Sequence, residues 1–202
     1  PFNMINCYKI IKDIRENKLM LMKKQALKQA EFSNSLWEKC ILLRAFTRPQ
    51  STDAEKLIMK DLGISPPKDG VSGDGIKNGL NYEIKASLHD AKSKINIRQI
   101  RPHHNVDYYI IVCLNVFGGN HGEAFILKVP SKTIYKLVLQ YGGYTHGTIQ
   151  RNGVITAETL SDDSLDFMYS LSADPNANNN TKSKQLWLEL IKYKVPYLKD
   201  SF

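Results

Sequence analysis

The chain has 202 residues, a formal net charge of +8, 42% hydrophobic and 24% charged side chains, the ordinary balance of a globular protein with one good core. No apolar run approaches the roughly 20 residues of a membrane-spanning helix, and the N-terminus does not resemble a signal peptide, so no membrane association is expected. The three cysteines, Cys7, Cys40 and Cys113, are far apart and lack any CxxC pairing, which suits reduced thiols and a cytoplasmic setting.

The positive charge is regional. Residues 1–50 carry ten Lys or Arg against four acids, and residues 91–104 carry four with no acid, while Glu158, Asp162, Asp163 and Asp166 make a local acidic segment. Regional positive charge suggests a polyanionic partner, with nucleic acid foremost; a solvated lysine-rich surface is the alternative. The first residue is Pro1 rather than a methionine, so the true start is expected to have been trimmed.

Helical spacing of Ile5, Tyr8, Ile11, Ile14, Leu19, Met22 and Leu27 predicts a helix over residues 4–31, with Lys23, Lys24 and Lys28 on a solvated face. A second helix is expected over 34–46, capped by Ser33 or Asn34, and a third over 53–62, capped by Ser51 or Thr52 and ended by Gly63. Strands over 70–76 and 80–87 form a hairpin bending at Lys77-Asn78-Gly79. A short helix or turn is expected over 96–100. The nearly continuous apolar run 106–116 reads as a central strand covered on both faces, followed by a strand over 123–129 and a helix from Ser131 or Thr133 to Leu139. Short strands and turns after Gly142, an exposed polar loop over 173–184 and a last helix over 185–193 complete the pattern. This order implies an α/β fold, a mixed central β-sheet flanked by helices, preceded by an N-terminal helical segment.

The segment 71–87 carries the chemistry. Alternation along a strand puts Glu83 and Lys85 on one face and Ile84 on the other, and the hairpin folds Asp74 back toward the charged face. Two carboxylates can hold a hard divalent cation, and an adjacent ammonium can act on a water or a phosphate. Two neighbouring carboxylates favour the charged form of Lys85, which suits it to positioning and charge stabilisation rather than to proton abstraction. Without such a site, Asp74 would be a turn residue and Glu83 and Lys85 a solvated pair on an edge strand.

Asp74, eight residues, then Glu83-Ile84-Lys85 resembles the active-site motif of the PD-(D/E)xK nuclease superfamily, in particular type II restriction endonucleases. The resemblance implies a restriction-endonuclease-like core in which Asp74 and Glu83 bind Mg2+, the Ile84 carbonyl adds a ligand and Lys85 serves the attacking water. It also implies a site role for Glu55, on the helix before the hairpin, and for Gln99, in the segment after the catalytic strand. The likeness covers about residues 51–129 and departs from the motif at Gly73, where the family's proline would stand.

The implied activity is Mg2+-dependent cleavage of double-stranded DNA to 5′-phosphate and 3′-hydroxyl ends, by a homodimer if both strands are cut. The implied organisation is a single nuclease domain over 1–202: a helical segment 1–50, a catalytic core 51–130 and a DNA-contacting part 131–202. Nicking, mismatch-repair or junction-resolving nucleases share the fold, and a non-catalytic DNA-binding module is the alternative from another class. Candidate DNA contacts are Arg98, Arg101, His103 and His104, which could equally be a solvated basic turn, and His146, Thr148, Gln150 and Arg151 around the glycine-rich 141–148 segment, which could equally be a structural turn with stacked tyrosines. His103 and His104 lack the spacing of a zinc site.

Overall fold

The computed structural model describes residues 52–89, 94–115, 123–145, 154–162 and 167–202. The helices expected over 4–31 and 34–46, and the candidate contacts His146, Thr148, Gln150 and Arg151, lie outside the described residues. Among those residues the protein is mixed α/β, and no helix is long and apolar enough to cross a membrane.

Helix α1 (Thr52–Leu62) ends at Gly63, whose φ of 68° supplies the left-handed residue of a helix stop. Gly63 N–H donates to Lys60 O at 3.3 Å and Ile64 N–H to Met59 O at 2.8 Å, satisfying two carbonyls of the last turn. The hairpin follows as β1 (Gly75–Lys77) and β2 (Leu80–His89), joined by Asn78 and Gly79 at φ 52° and 78°. Positive φ at both central positions is what a two-residue hairpin turn of matching twist requires. The expected first strand is shorter than residues 70–76: the chain from Gly70 to Asp74 turns, and pairing begins only at Gly75 opposite Tyr82.

Two more strands, β4 (Tyr108–Asn115) and β5 (Glu123–Pro130), lead into α2 (Ser131–Tyr141), and β8 (Lys194–Val195) closes a five-stranded sheet ordered β1-β2-β4-β5-β8. β2 runs parallel to β4, and the other neighbours are antiparallel. A second sheet orders β3 (Ile95–Ile100), β7 (Tyr169–Ala173) and β6 (Gly143–Tyr144) antiparallel. The remaining elements are α3 (Ala157–Ser161), α4 (Lys182–Leu190, capped by the Thr181 hydroxyl) and short 3₁₀ turns at Ile191–Tyr193 and Lys199–Ser201.

The expected helix or turn over 96–100 is instead strand β3. Its pairing with β7 is regular from Ile95 to Ile97 and resumes at Ile100 after an irregularity containing Gln99 at φ 57°. That extra step keeps Ile100 buried with Ile95 and Ile97, so the apolar spacing changes from two to three and imitates a helix.

Both faces of the large sheet are covered. On one, Tyr82, Ile84, Ile110, Val112 and Ile126 pack with Ile58 and Leu62 of α1 and with Phe202. On the other, Tyr109, Ile111, Cys113, Leu127 and Val129 pack with Ile134, Leu137 and Val138 of α2, Leu186 and Leu190 of α4, and the second sheet. The described residues therefore form two cores, one on each face of the large sheet.

Candidate active site

Glu83 lies beside Tyr109, and Lys85 beside Ile111, in the parallel β2–β4 register, so both charged side chains stand on the Tyr109–Ile111 face of the sheet. Ile84 is fully buried on the opposite face. Glu83 and Lys85 retain only 12% and 16% of their side-chain exposure, and Lys85 Nζ lies 2.6 Å from Glu83 Oε1. They are a shielded ion pair rather than a solvated one, on the stretch of β2 beyond the end of β1.

Asp74 reaches them from the turn before β1. Its N–H donates to Tyr82 O at 2.8 Å, and its Oδ2 accepts the Ile84 N–H at 2.6 Å. Because β1 pairs with β2 only as far as Tyr82, the Asp74 carboxylate takes the place of the missing strand partner at Ile84. The N–H and C=O of one strand residue point to the same edge, so the Ile84 carbonyl faces the edge where Asp74 sits. Burial pushes the Asp74 carboxyl above the usual carboxylate range and the Glu83 charge adds to this; the Ile84 N–H and Lys85 oppose it. Two carboxylates whose charges oppose one another, sheltered from water and with the Lys85 ammonium paired to Glu83, are an arrangement that a cation relieves.

Gly73 explains the departure from the motif. Its φ is 74°, and a Cβ there would lie 2.5 Å from Tyr82 O, the acceptor of the Asp74 N–H. Proline, held near φ −65°, cannot adopt this conformation.

The loop after β3 is tied to the Asp74 turn. Asn105 N–H donates to Val71 O at 2.7 Å, Asn81 N–H to Asp107 Oδ2 at 2.8 Å, Asn81 Nδ2 to Asn105 O at 2.9 Å, and Asp107 N–H to Asn81 O at 2.9 Å. His103 and His104, half buried with ring centroids 4.7 Å apart, are thereby held in the loop that borders the Asp74 turn. Arg101 Nη2 is turned to Met168 Sδ at 3.0 Å, whereas Arg98 is exposed on β3. Gln99 is exposed in the β3 irregularity, its N–H bonded to Thr145 Oγ1 at 3.2 Å, which ties it to the end of β6.

Glu55 is half buried on α1, a helix that packs through Ile58 and Leu62 on the sheet face opposite Glu83. Among the described residues no three His, Cys, Asp or Glu side chains gather into a group able to hold an ion. The structure thus brings together Asp74, Glu83 and Lys85 and does not bring Glu55 to them as a third carboxylate. The donors at hand are hard oxygens, two carboxylates and the edge-facing Ile84 carbonyl. Such a set fits Mg2+, which keeps several waters and needs only one or two protein carboxylates.

Two tyrosines that the sequence pattern did not single out complete the surroundings. Tyr109 and Tyr135, the latter on α2, meet edge to face with ring centroids 6.3 Å apart. Burial raises both phenols above their usual range, and the nearby Glu83 charge raises them further. Register alone could have placed Tyr109, the parallel partner of Glu83; Tyr135 follows Ile134 in an ordinary amphipathic helix and carried no signal.

No known family model matches the chain, and no curated protein matches it in sequence.

Proposed function

We propose that this protein is a Mg2+-dependent DNA endonuclease of the restriction type, with a restriction-endonuclease-like core. The observation that carries the proposal is the meeting of Asp74, Glu83 and Lys85 at the stretch of β2 where β1 has ended. Asp74, Glu83 and the Ile84 carbonyl would hold the cation, which supplies charge neutralisation at phosphate and an acidified water when bound.

The chain's own residues do the rest. The Ile84 N–H fixes Asp74 in place, so its free oxygen is oriented before any ligand arrives. Lys85, paired with Glu83 here, would stabilise the negative charge that grows as water attacks in line with the leaving 3′-oxygen. Cleavage then leaves a 5′-phosphate and a 3′-hydroxyl. The net charge of +8, Arg98 and the bordering His103 and His104 supply backbone attraction, which sets register on DNA without reading sequence.

One such site cuts one strand, so double-strand cleavage calls for a homodimer whose two-fold axis matches a palindromic target. The test is digestion of supercoiled plasmid in Mg2+ and in EDTA. Discrete linear fragments in Mg2+ alone support the restriction reading, and nicked circles assign the same chemistry to a nickase. DNA binding without cutting under any divalent cation refutes the enzyme.

A further inference from the structure

The second sheet has one apolar side and one polar side. Ile95, Ile97, Ile100, Tyr169 and Leu171 pack into the core on the Tyr109–Ile111 face of the large sheet. The side chains between them, Asn96, Arg98, Ser170 and Ser172, therefore stand on the outer side, which looks the same way as Glu83 and Lys85. Neither β3 nor β7 carries an acid, and Arg98 and Ser172 are exposed. β3 is anchored beside the candidate active site: Asn96 N–H donates to Ser87 Oγ at 2.7 Å, and Ser87 follows Glu83 and Lys85 on the same face of β2. Four residues of strand put Ser87 about 13 Å from Glu83, the rise of about four base pairs of DNA.

The chain leaves this sheet through an asparagine-rich turn, residues 174–181, between β7 and α4. The turn is held largely by its main chain. Asp174 N–H donates to Ser183 O at 3.1 Å, and Asp174 Oδ1 accepts the Asn176 N–H at 3.0 Å. Asn178 O accepts the Thr181 N–H at 3.0 Å and the Thr181 hydroxyl at 2.8 Å. Asn179 O accepts Gln185 Nε2 at 2.6 Å, and Pro175 O accepts Lys184 Nζ. Asn178 and Asn179 are exposed, and these bonds use their carbonyls while leaving their side-chain amides to solvent. Cations flank the turn. Lys182 follows it, and Lys94 precedes Ile95, which pairs with Ala173 at the root of the turn; both lysines are exposed.

We infer that the asparagine turn reads base edges in the major groove of DNA, with Asn178 and Asn179 as the readers and Lys94, Arg98 and Lys182 on the flanking phosphates. This role rests on the nuclease reading and supplies that enzyme's choice of sequence. An asparagine amide offers a donor and an acceptor side by side, the pair that matches N7 and N6 of adenine. A main chain already fixed lowers the entropy cost of holding those amides against a base. The acid-free outer side of β3 and β7 suits a phosphate backbone, which lysine and arginine neutralise without reading sequence. The turn lies apart from Asp74, Glu83 and Lys85, so choosing a sequence and cutting it are separable.

The test sequences the duplexes retained from a randomised pool in Ca2+ by the parent, by Asn178→Ala with Asn179→Ala, and by Lys94→Ala with Lys182→Ala. Lys56→Ala, exposed on α1 across the large sheet, is the control. Thermal melts, anisotropy titrations against salt and plasmid cleavage in Mg2+ accompany the selection. The parent is expected to retain a sequence containing adenine. The asparagine variant is expected to melt like the parent and to lose about 5–150-fold of the preference at one or two of those base pairs. The lysine variant is expected to keep the sequence, bind every duplex more weakly and lower the salt slope by about two. Lys56→Ala is expected to match the parent throughout. An asparagine variant that keeps the parent's full preference overturns the inference, and so does a parent that binds DNA without preference; in either case a parent that cuts plasmid keeps the nuclease reading intact. A parent that selects its sequence through these asparagines yet never cuts overturns the nuclease reading and leaves the turn as a reader. A parent that binds no DNA overturns both.

Discussion

Gly73→Ala isolates the turn that delivers Asp74. At φ 74° an alanine costs about 1–2 kcal/mol from its backbone alone. Its Cβ would also stand 2.5 Å from Tyr82 O, and relief to an ordinary 3.4 Å contact moves the two apart by 0.9 Å. Tyr82 O accepts the Asp74 N–H, so that shift weakens a backbone bond worth about 1 kcal/mol net. The expected loss is about 2–3 kcal/mol, a fall in Tm of about 4–12 °C for a domain of this size. Displacing a catalytic group by about 1 Å can cost about a hundredfold in rate, so cleavage is expected to drop by that order.

Gly79→Ala is the matched control. Its φ of 78° brings the same backbone penalty, but nothing lies within 4 Å of the added Cβ, and Asp74 is left in place. Scanning calorimetry and initial rates of plasmid cleavage, measured at one Mg2+ concentration, separate the two effects. A Gly73→Ala protein that melts no lower than Gly79→Ala and cleaves within a fewfold of the parent would refute the reasoning.

Asp74→Asn should flatten the pH dependence of stability in EDTA. The folded carboxyl titrates above its ordinary value of 3.8, so its contribution is fully present below that value and is lost as pH rises through the raised folded value. The parent should lose stability in denaturant melts over that window, and the amide should not. Lys85→Ala should slow cleavage by about 10²–10³-fold, the usual cost of removing one group that stabilises transition-state charge, while gel shifts in Ca2+ still show DNA binding. Asp107→Ala leaves the half-buried Asn81 N–H unpaired and should lower stability by about 1–3 kcal/mol in urea melts. Cys113, buried and with its thiol pushed well up by that burial, should resist alkylation until the protein unfolds, as mapped by mass spectrometry.

Much of this was legible in the sequence because local and tertiary signals agreed there. Asn78-Gly79 marked the hairpin turn, Gly63 the end of α1, and the apolar run through Ile110, Ile111 and Val112 the strand buried on both faces. Alternation alone put Ile84 in the core and Glu83 with Lys85 opposite it. What was illegible depends on backbone choices that side-chain type does not report. The Gln99 irregularity shifted the phase of β3 and disguised a strand as a helix. The early end of β1, which lets Asp74 bond the Ile84 N–H, leaves no mark on composition. Glu55 matched a spacing, yet α1 turns its apolar residues to the face away from Glu83. Tyr135 emerged only once helix α2 was laid over β4, because the tyrosine pairing joins residues 26 apart in sequence.

The most direct measurement is cleavage of supercoiled plasmid by the parent and by Glu83→Gln in Mg2+, with the products' ends sequenced. The parent should give cut DNA bearing 5′-phosphate and 3′-hydroxyl ends, and Glu83→Gln should leave the plasmid supercoiled. Cutting by Glu83→Gln at the parent's rate, or a parent inert toward DNA at every Mg2+ concentration, would contradict the account.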